Sequence, residues 1–394
     1  MLAVPLFSPL SPLHARLEKV SAMLRWLQFG DLHACEGDDW ESLRLFERLV
    51  SEANRGFAER VQFAVLPGDN ANHATPEQFE RVGEVARRLR VPLHVLPGDH
   101  DFEAGHLEDF RRHLAPQSLP RVETIGETQC LFLDIVSAGS GGPDFRLGQT
   151  QTAWLHQILG QARPGARSLV FMHAFPGDLR EGCEEVAALF ARCGVAYVGT
   201  GHTHYNDLLN DGHVIYGATR STGEIEEGPP GLSVSALDGD VVSWRFKTLD
   251  SGWPFVLVTS PSDWRLATDF TSRTQVPEAA ISVRAEIFGA SNEVVVTARL
   301  DGERDLTLSR DGDGVWCGRF GEVADGRHVL TVTATEADGS TDTDTVEVLV
   351  RNARERPKRG PSLALGRDVH SLRSWPSHGL PGGRLGPNAN GQKW

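Results

Sequence analysis

Six short apolar runs, Leu24–Phe29, Val61–Leu66, Pro92–Leu96, Cys130–Ile135, Leu169–Met172 and Val195–Val198, mark the first half of the chain, each bounded by Gly, Pro or Asp. Runs of this length predict strands buried on both faces. Asp38 with Glu41 makes a capping-box pattern ahead of Leu43, Phe46, Leu49, Val50 and Ala53, whose three-and-four spacing draws one apolar stripe along a helix. A second helix is predicted from Thr75 as cap, Pro76 at the first position and Gln78 closing the box, with Phe79, Val82, Val85 and Leu89 facing inward. Strands alternating with amphipathic helices predict crossovers onto a sheet covered on both faces.

The period changes after residue 204. Leu208–Val214 carries N-D-G and Leu232–Phe246 carries L-D-G-D between alternating apolar residues, both hairpin signals. A first domain over 23–250 is therefore expected to end in antiparallel strands. The Pro- and Ser-punctuated segment 251–276 predicts a linker that partly packs on it. Over 277–352, Ile281–Ile287, Val294–Leu300, Leu306–Ser309, Val315–Phe320, His328–Glu336 and Thr341–Val350 alternate between D-G turns at Asp301, Asp311, Asp325 and Asp338. Even strand spacing without helices predicts an all-β sandwich similar to immunoglobulin or fibronectin type III modules. D-G-D-G at Asp311–Gly314 reads as a hairpin turn, since the later acidic ligand of a calcium loop is missing. Residues 1–22 read as an N-terminal extension, disordered or non-native, with Met23 as an alternative start. Residues 353–394, rich in Arg, Gly, Pro and Ser, read as a disordered basic tail.

Composition narrows the partners. A formal net charge of -14 over 394 residues disfavours a nucleic-acid backbone as ligand. A small anion stays compatible, because bound divalent ions reverse the local potential of a pocket. No apolar stretch reaches the length of a membrane span. The five cysteines are odd in number and lack C-x-x-C spacing, which argues against a disulfide framework or zinc knuckle and fits a cytoplasmic setting. Any protein or self-association is expected through the β-sandwich.

Candidate chemistry sits where the apolar runs end. The motifs are G-D-L-H (Asp31, His33), L-P-G-D-N (Asp69), L-P-G-D-H-D (Asp99, His100, Asp101), F-M-H-A (His173) and G-H-T-H (His202, His204). Carboxylates and imidazoles delivered from several strand ends to one rim are what a two-metal hydrolytic site requires. His73, His94, His106, His113 and His213 fall outside these blocks and read as surface or satisfied histidines.

The ordered set resembles the calcineurin-like metallophosphoesterase superfamily, nearest its small phosphodiesterase branch, over Met23–Leu249. The resemblance implies an αββα sandwich and two divalent ions, Mn²⁺, Fe²⁺ or Zn²⁺. Asp69 would bridge them, Asp31, His33 and His204 would complete one site, and Asp99, His173 and His202 the other. It also implies a phosphohydrolase that attacks a small diester, a cyclic nucleotide or glycerophosphodiester, with a metal-bridging hydroxide. A phosphomonoesterase on nucleotides or sugar phosphates stands beside this reading, as does a catalytically weak metal-binding sensor or scaffold. His100 would face the phosphoryl oxygens or leaving group, with Asp101 orienting its imidazole, and Asn72 would support the substrate region. One departure stands out: the family has Asn in G-N-H-D where this chain has Asp99. A carboxylate adds charge and donates no hydrogen bond, so it should raise metal affinity and oppose an anionic phosphate.

Overall fold

The protein is described by a computed structural model that covers residues 23–163, 165–225 and 228–351; the predicted N-terminal extension and basic tail lie outside these residues. The first unit runs β1 (Met23–Phe29), α1 (Glu41–Gly56), β2 (Phe63–Leu66), α2 (Pro76–Ala86), β3 (Leu93–Val95), α3 (Glu108–His113), β4 (Arg121–Ile125) and β5 (Thr128–Phe132). It continues with α4 (Gly148–Gly160), β6 (Ser168–Phe171), α5 (Cys183–Arg192), β7 (Val195–Thr200), β8 (Leu208–Asn210), β9 (Ile215–Ala218), β10 (Gly231–Asp238) and β11 (Val241–Thr248).

These strands form two sheets, ordered β11-β10-β1-β2-β3 and β4-β5-β6-β7-β9-β8. β1, β2 and β3 are mutually parallel, as are β5, β6, β7 and β9, so their carboxyl ends share a rim. The sheets face each other through aromatic side chains: Trp26 lies 5.2 Å from Tyr197, and Phe63 lies 5.6 Å from Phe171. All four are fully buried. Removing one such ring typically costs about 3–5 kcal/mol. On the outer face of the first sheet, Phe46 of α1 meets Phe29 edge to face at 5.3 Å.

The two helices form where predicted, but neither capping box closes: α1 starts at Glu41 after Trp40, and Asp38 sits in the turn before it. Asp38 Oδ1 accepts from the Glu41 N–H and Thr75 Oγ1 from the Gln78 N–H. Gln78 does not close a box on Thr75; its Oε1 accepts from the His73 N–H and its Nε2 donates to Glu36, tying α2 to the loop after β1.

Residues 251–276, expected as a linker, instead carry β12 (Phe255–Ser260). Its run F-V-L-V-T-S pairs antiparallel with β13 (Ala280–Phe288), where apolar residues gain both ladder bonds and burial. β14 (Val295–Leu300), β15 (Arg304–Thr307), β16 (Ser309–Arg310), β17 (Trp316–Gly321), β18 (Gly326–Thr335) and β19 (Thr341–Val350) complete two four-stranded sheets, β12-β13-β17-β16 and β15-β14-β18-β19. A separate apolar core built from strands of both holds them together. Asp311 accepts from the Asp313 and Val315 N–H groups and closes the D-G-D-G segment as a turn.

The two units share buried charge. Glu286 of β13 is fully buried and pairs with Arg25 of β1 and with Arg60, at 2.7 Å for the latter. Arg245 of β11 is held by Asp342 of β19. Among the described residues no helix is long and apolar enough to cross a membrane.

Candidate metal centre

Each chemistry-bearing motif lands just past a strand of the common rim: Asp31 and His33 after β1, Asp69 after β2, Asp99 after β3, His173 after β6, and His202 and His204 after β7. Two glycines set the approach. Gly68 has φ +131°, and a Cβ there would run into the His173 imidazole, while a Cβ on Gly98 would collide with Asp69. His33, Asp69, His202 and His204 all adopt positive φ, between 44° and 66°. Non-glycine residues rarely occupy that region without a compensating gain, and such strain concentrates at functional sites.

The outcome is two groups of donors, Asp31, His33, Asp69 and His204, and Asp69, Asp99, His173 and His202, each with ligand-type atoms within 4.8 Å of one another. Asp69 is common to both. Its Oδ2 lies 3.8 Å from His33 Nε2 and 3.4 Å from His173 Nε2, and its Oδ1 accepts from the His100 N–H at 3.0 Å. Asp99 Oδ1 is 3.2 Å from His173 Nε2 and 3.6 Å from His202 Nδ1. His33 Nε2 and His204 Nε2 face each other at 3.0 Å. His173 Nδ1 donates to the Pro67 carbonyl at 3.1 Å, which leaves Nε2 directed into the cluster.

Protein groups alone do not balance this cluster. Asp31 Oδ2 accepts from the His202 N–H at 2.7 Å, but its buried Oδ1 has no partner. Burial pushes the Asp31 carboxyl well above its ordinary range, with Asp69 and Asp99 adding to the effect. Burial also pushes His33 and His202 down to about 4, keeping their lone pairs available. For Asp69 burial acts upward, yet His173 overrides it and holds the carboxyl well below its usual range. Burial lowers the proton affinity of His173, but the carboxylates around it, Asp69 first among them, outweigh burial and raise it well above the ordinary value. An orphaned carboxylate oxygen, the neutral imidazoles of His33 and His202 and a shared anionic bridge, with a proton on His173 standing where a cation would, fit divalent cations. Oxygen and nitrogen donors without thiolate suit borderline or hard first-row ions.

His100 sits at the mouth, its ring 4.7 Å from that of His33 and its Nδ1 2.9 Å from the Asn72 carbonyl oxygen. Burial lowers its proton affinity, but Asp69 and the Asn72 carbonyl raise it above the ordinary value. The expected partner is not Asp101. That carboxylate is fully buried and accepts from the N–H groups of Asn70, Ala71 and Gly98 and from Asn70 Nδ2, at 2.8–3.2 Å. The tight turn at His100–Phe102 sends successive side chains in different directions, so Asp101 pins the Asp69 and Asp99 loops instead. Asn72 turns its Oδ1 to His33 Nδ1 at 3.3 Å, behind a cluster imidazole. Sequence reasoning missed Asn70, Glu224, whose carboxylate is 3.8 Å from His204 Nδ1, and Phe145, whose ring lies 4.8 Å from His202.

A parallel-strand rim that gathers six oxygen and imidazole donors around one shared carboxylate is the arrangement of a metal-dependent hydrolase. Comparison with known proteins gives its family. The model of the calcineurin-like phosphoesterase family matches residues 24–206. The 3',5'-cyclic adenosine monophosphate phosphodiesterase CpdA of Escherichia coli (strain K12) is 30% identical over 248 residues, 57% of this chain and 84% of that protein. The chain belongs to the calcineurin-like phosphoesterase family. It is also similar to the glycerophosphodiester phosphodiesterase GpdQ of Enterobacter lignolyticus (strain SCF1), 36% identical over 136 residues, 32% of this chain and 46% of that protein. The match thus spans about half the length of that relative. Among solved structures, a dimetal phosphatase from Danio rerio aligns with TM-score 0.47 and 14% identity, covering 57% of this chain and 96% of that one.

Proposed function

We propose that this chain is a binuclear metal-dependent phosphodiesterase acting on a small diester, as the names of its relatives suggest. The observation that carries the reading is Asp69, a single buried carboxylate common to two complete donor groups. Asp31, His33 and His204 would hold one ion, and Asp99, His173 and His202 the other. Two divalent ions bound there would supply Lewis acidity toward the phosphoryl oxygens and lower the pKa of water. Asp69, common to both donor groups, would serve both ions. With Nδ1 engaged by the Asn72 carbonyl, His100 offers Nε2 to the departing oxygen. Asn72 orients His33, and Asp101 acts through the loops it ties together, as a positioning residue. The strands β12–β19, residues 255–350, form an immunoglobulin-like sandwich apart from the chemistry, and the setting is the cytoplasm.

The test is turnover of bis(p-nitrophenyl) phosphate and p-nitrophenyl phosphate by protein loaded with Mn²⁺, with metal content measured on the same sample. The reading expects the diester to be the better substrate. A faster monoester would move the assignment to a phosphomonoesterase, and a fully loaded protein inert to both would support a sensor or scaffold.

A further inference from the structure

The four imidazoles of the centre are backed unequally. His33 has Asn72 Oδ1 behind its outer nitrogen and His173 has the Pro67 carbonyl, both hydrogen-bonded, and His204 has the Glu224 carboxylate at 3.8 Å as a charged neighbour. Among the described residues, His202 has no such hydrogen-bonding partner for its ring. It has Phe145, whose ring meets it edge to face with centroids 4.8 Å apart and planes at 84°. The same ring lies 5.7 Å from His173 at 68°, and the two imidazoles are 5.3 Å apart at 62°. These spacings fall in the favourable range for tilted and edge-on aromatic pairs.

Phe145 comes from a glycine- and serine-rich excursion between β5 and α4. The chain leaves Ile135 and returns at Arg146, whose N–H donates to the Ile135 carbonyl at 2.8 Å, closing a compact surface loop. Within it Asp144 accepts from the Ser140 N–H and hydroxyl, and the Phe145 carbonyl accepts from the Arg180 N–H at 2.9 Å. Ser137, Ala138 and Pro143 are exposed, whereas Phe145 is 1% exposed. The loop is therefore fastened by its own polar bonds, and its one buried aromatic ring is spent on two cluster histidines.

We infer that Phe145 is the positioning residue for the ion site of Asp99, His173 and His202, setting the ring plane of His202, which has no polar backing group, and packing on the His173 ring that the Pro67 carbonyl already orients. The inference rests on the binuclear reading above. Because His202 stands at φ +66° and its ring lacks a polar tether, its orientation depends on packing. Among the described residues, Phe145 makes ring contacts with His173 and His202 and with no imidazole of the other donor group.

Full-length protein stripped with chelator and titrated with Mn²⁺, with free ion followed by its paramagnetic resonance signal, tests this directly. The parent should bind two ions. Phe145→Ala should bind the first with parental affinity and the second about 10- to 100-fold more weakly, the loss usual when a ligand's outer support is removed. Phe79→Ala, which empties an equally buried aromatic site under α2 against Phe110, should match the parent in both events. Unchanged binding in Phe145→Ala, or equal weakening of both ions, would overturn the inference and leave the binuclear reading intact. A parent that binds fewer than two ions would remove both. If the alanine variant does not fold, Phe145→Leu decides by the same criterion, since it keeps apolar bulk without a flat ring.

Discussion

Asp99 and His100 are neighbours in sequence and opposite in role. Asp99 lies within 3.2 Å of His173 Nε2, and His100 turns away to the Asn72 carbonyl. His100→Ala should therefore keep both ions and lose roughly 10²- to 10⁴-fold in turnover, the range for a positioned acid. Elemental analysis beside a diester assay checks this, and loss of metal from the variant would show that His100 is a ligand. Asp99→Asn removes a charge that binds metal and repels phosphate. At saturating Mn²⁺ it should be faster toward an anionic diester while releasing one ion more readily on dilution. A fully loaded but slower variant would make the Asp99 carboxylate part of the working site. The clustering of these donors was legible because each follows an apolar run. The partners of His100 and Asp101 were not, because one tight turn decides which way adjacent side chains point. Phe145 carried no signal, since only loop closure between Ile135 and Arg146 brings it to the histidines.

At the scale of elements, β3 places a histidine inside the sandwich. His94 is 6% exposed, 4.1 Å from the Phe132 ring and 5.3 Å from Phe63, and its Nδ1 accepts from Arg121. Burial pushes its pKa from 6.5 down to about 4, against the pull of Glu123. Between those values the unfolded chain binds a proton that the folded one refuses, so stability falls as pH drops below 6.5. At pH 5 the loss from this one group is on the order of 2 kcal/mol. Urea unfolding of parent and His94→Gln at pH 7 and pH 5 should show a smaller acid loss in the variant; equal losses would mean that His94 is protonated in the fold. Strands and capped helices with strong periodicity were legible in the same way. α4 was not, because only Gln151, Leu155 and Leu159 of it are buried, and β12 was hidden by Pro254 and Pro261, which read as linker punctuation.

For the whole molecule, the second unit is more than an appendage. Phe57, fully buried, packs on Trp253, Phe255 and Phe288 at 5.0–5.9 Å, and Arg25 and Arg60 converge on Glu286. Removing everything after Ser251 would expose that face of the metal-bearing unit, so the truncated chain is expected to be markedly less stable although its ligands are intact. A point variant isolates the effect. Glu286→Gln leaves Arg25 buried without a counter-charge and should cost about 3–5 kcal/mol in urea unfolding while metal content stays at the parental level. A change below about 1 kcal/mol would mean that the pair is solvated, as surface pairs are. The central claim is that one carboxylate, Asp69, serves two ions at once. Metal stoichiometry after incubation with excess Mn²⁺ and removal of free ion tests it most directly. Two ions per chain in the parent and at most one in Asp69→Ala is the predicted result; a parent that stays at or below one would contradict the account.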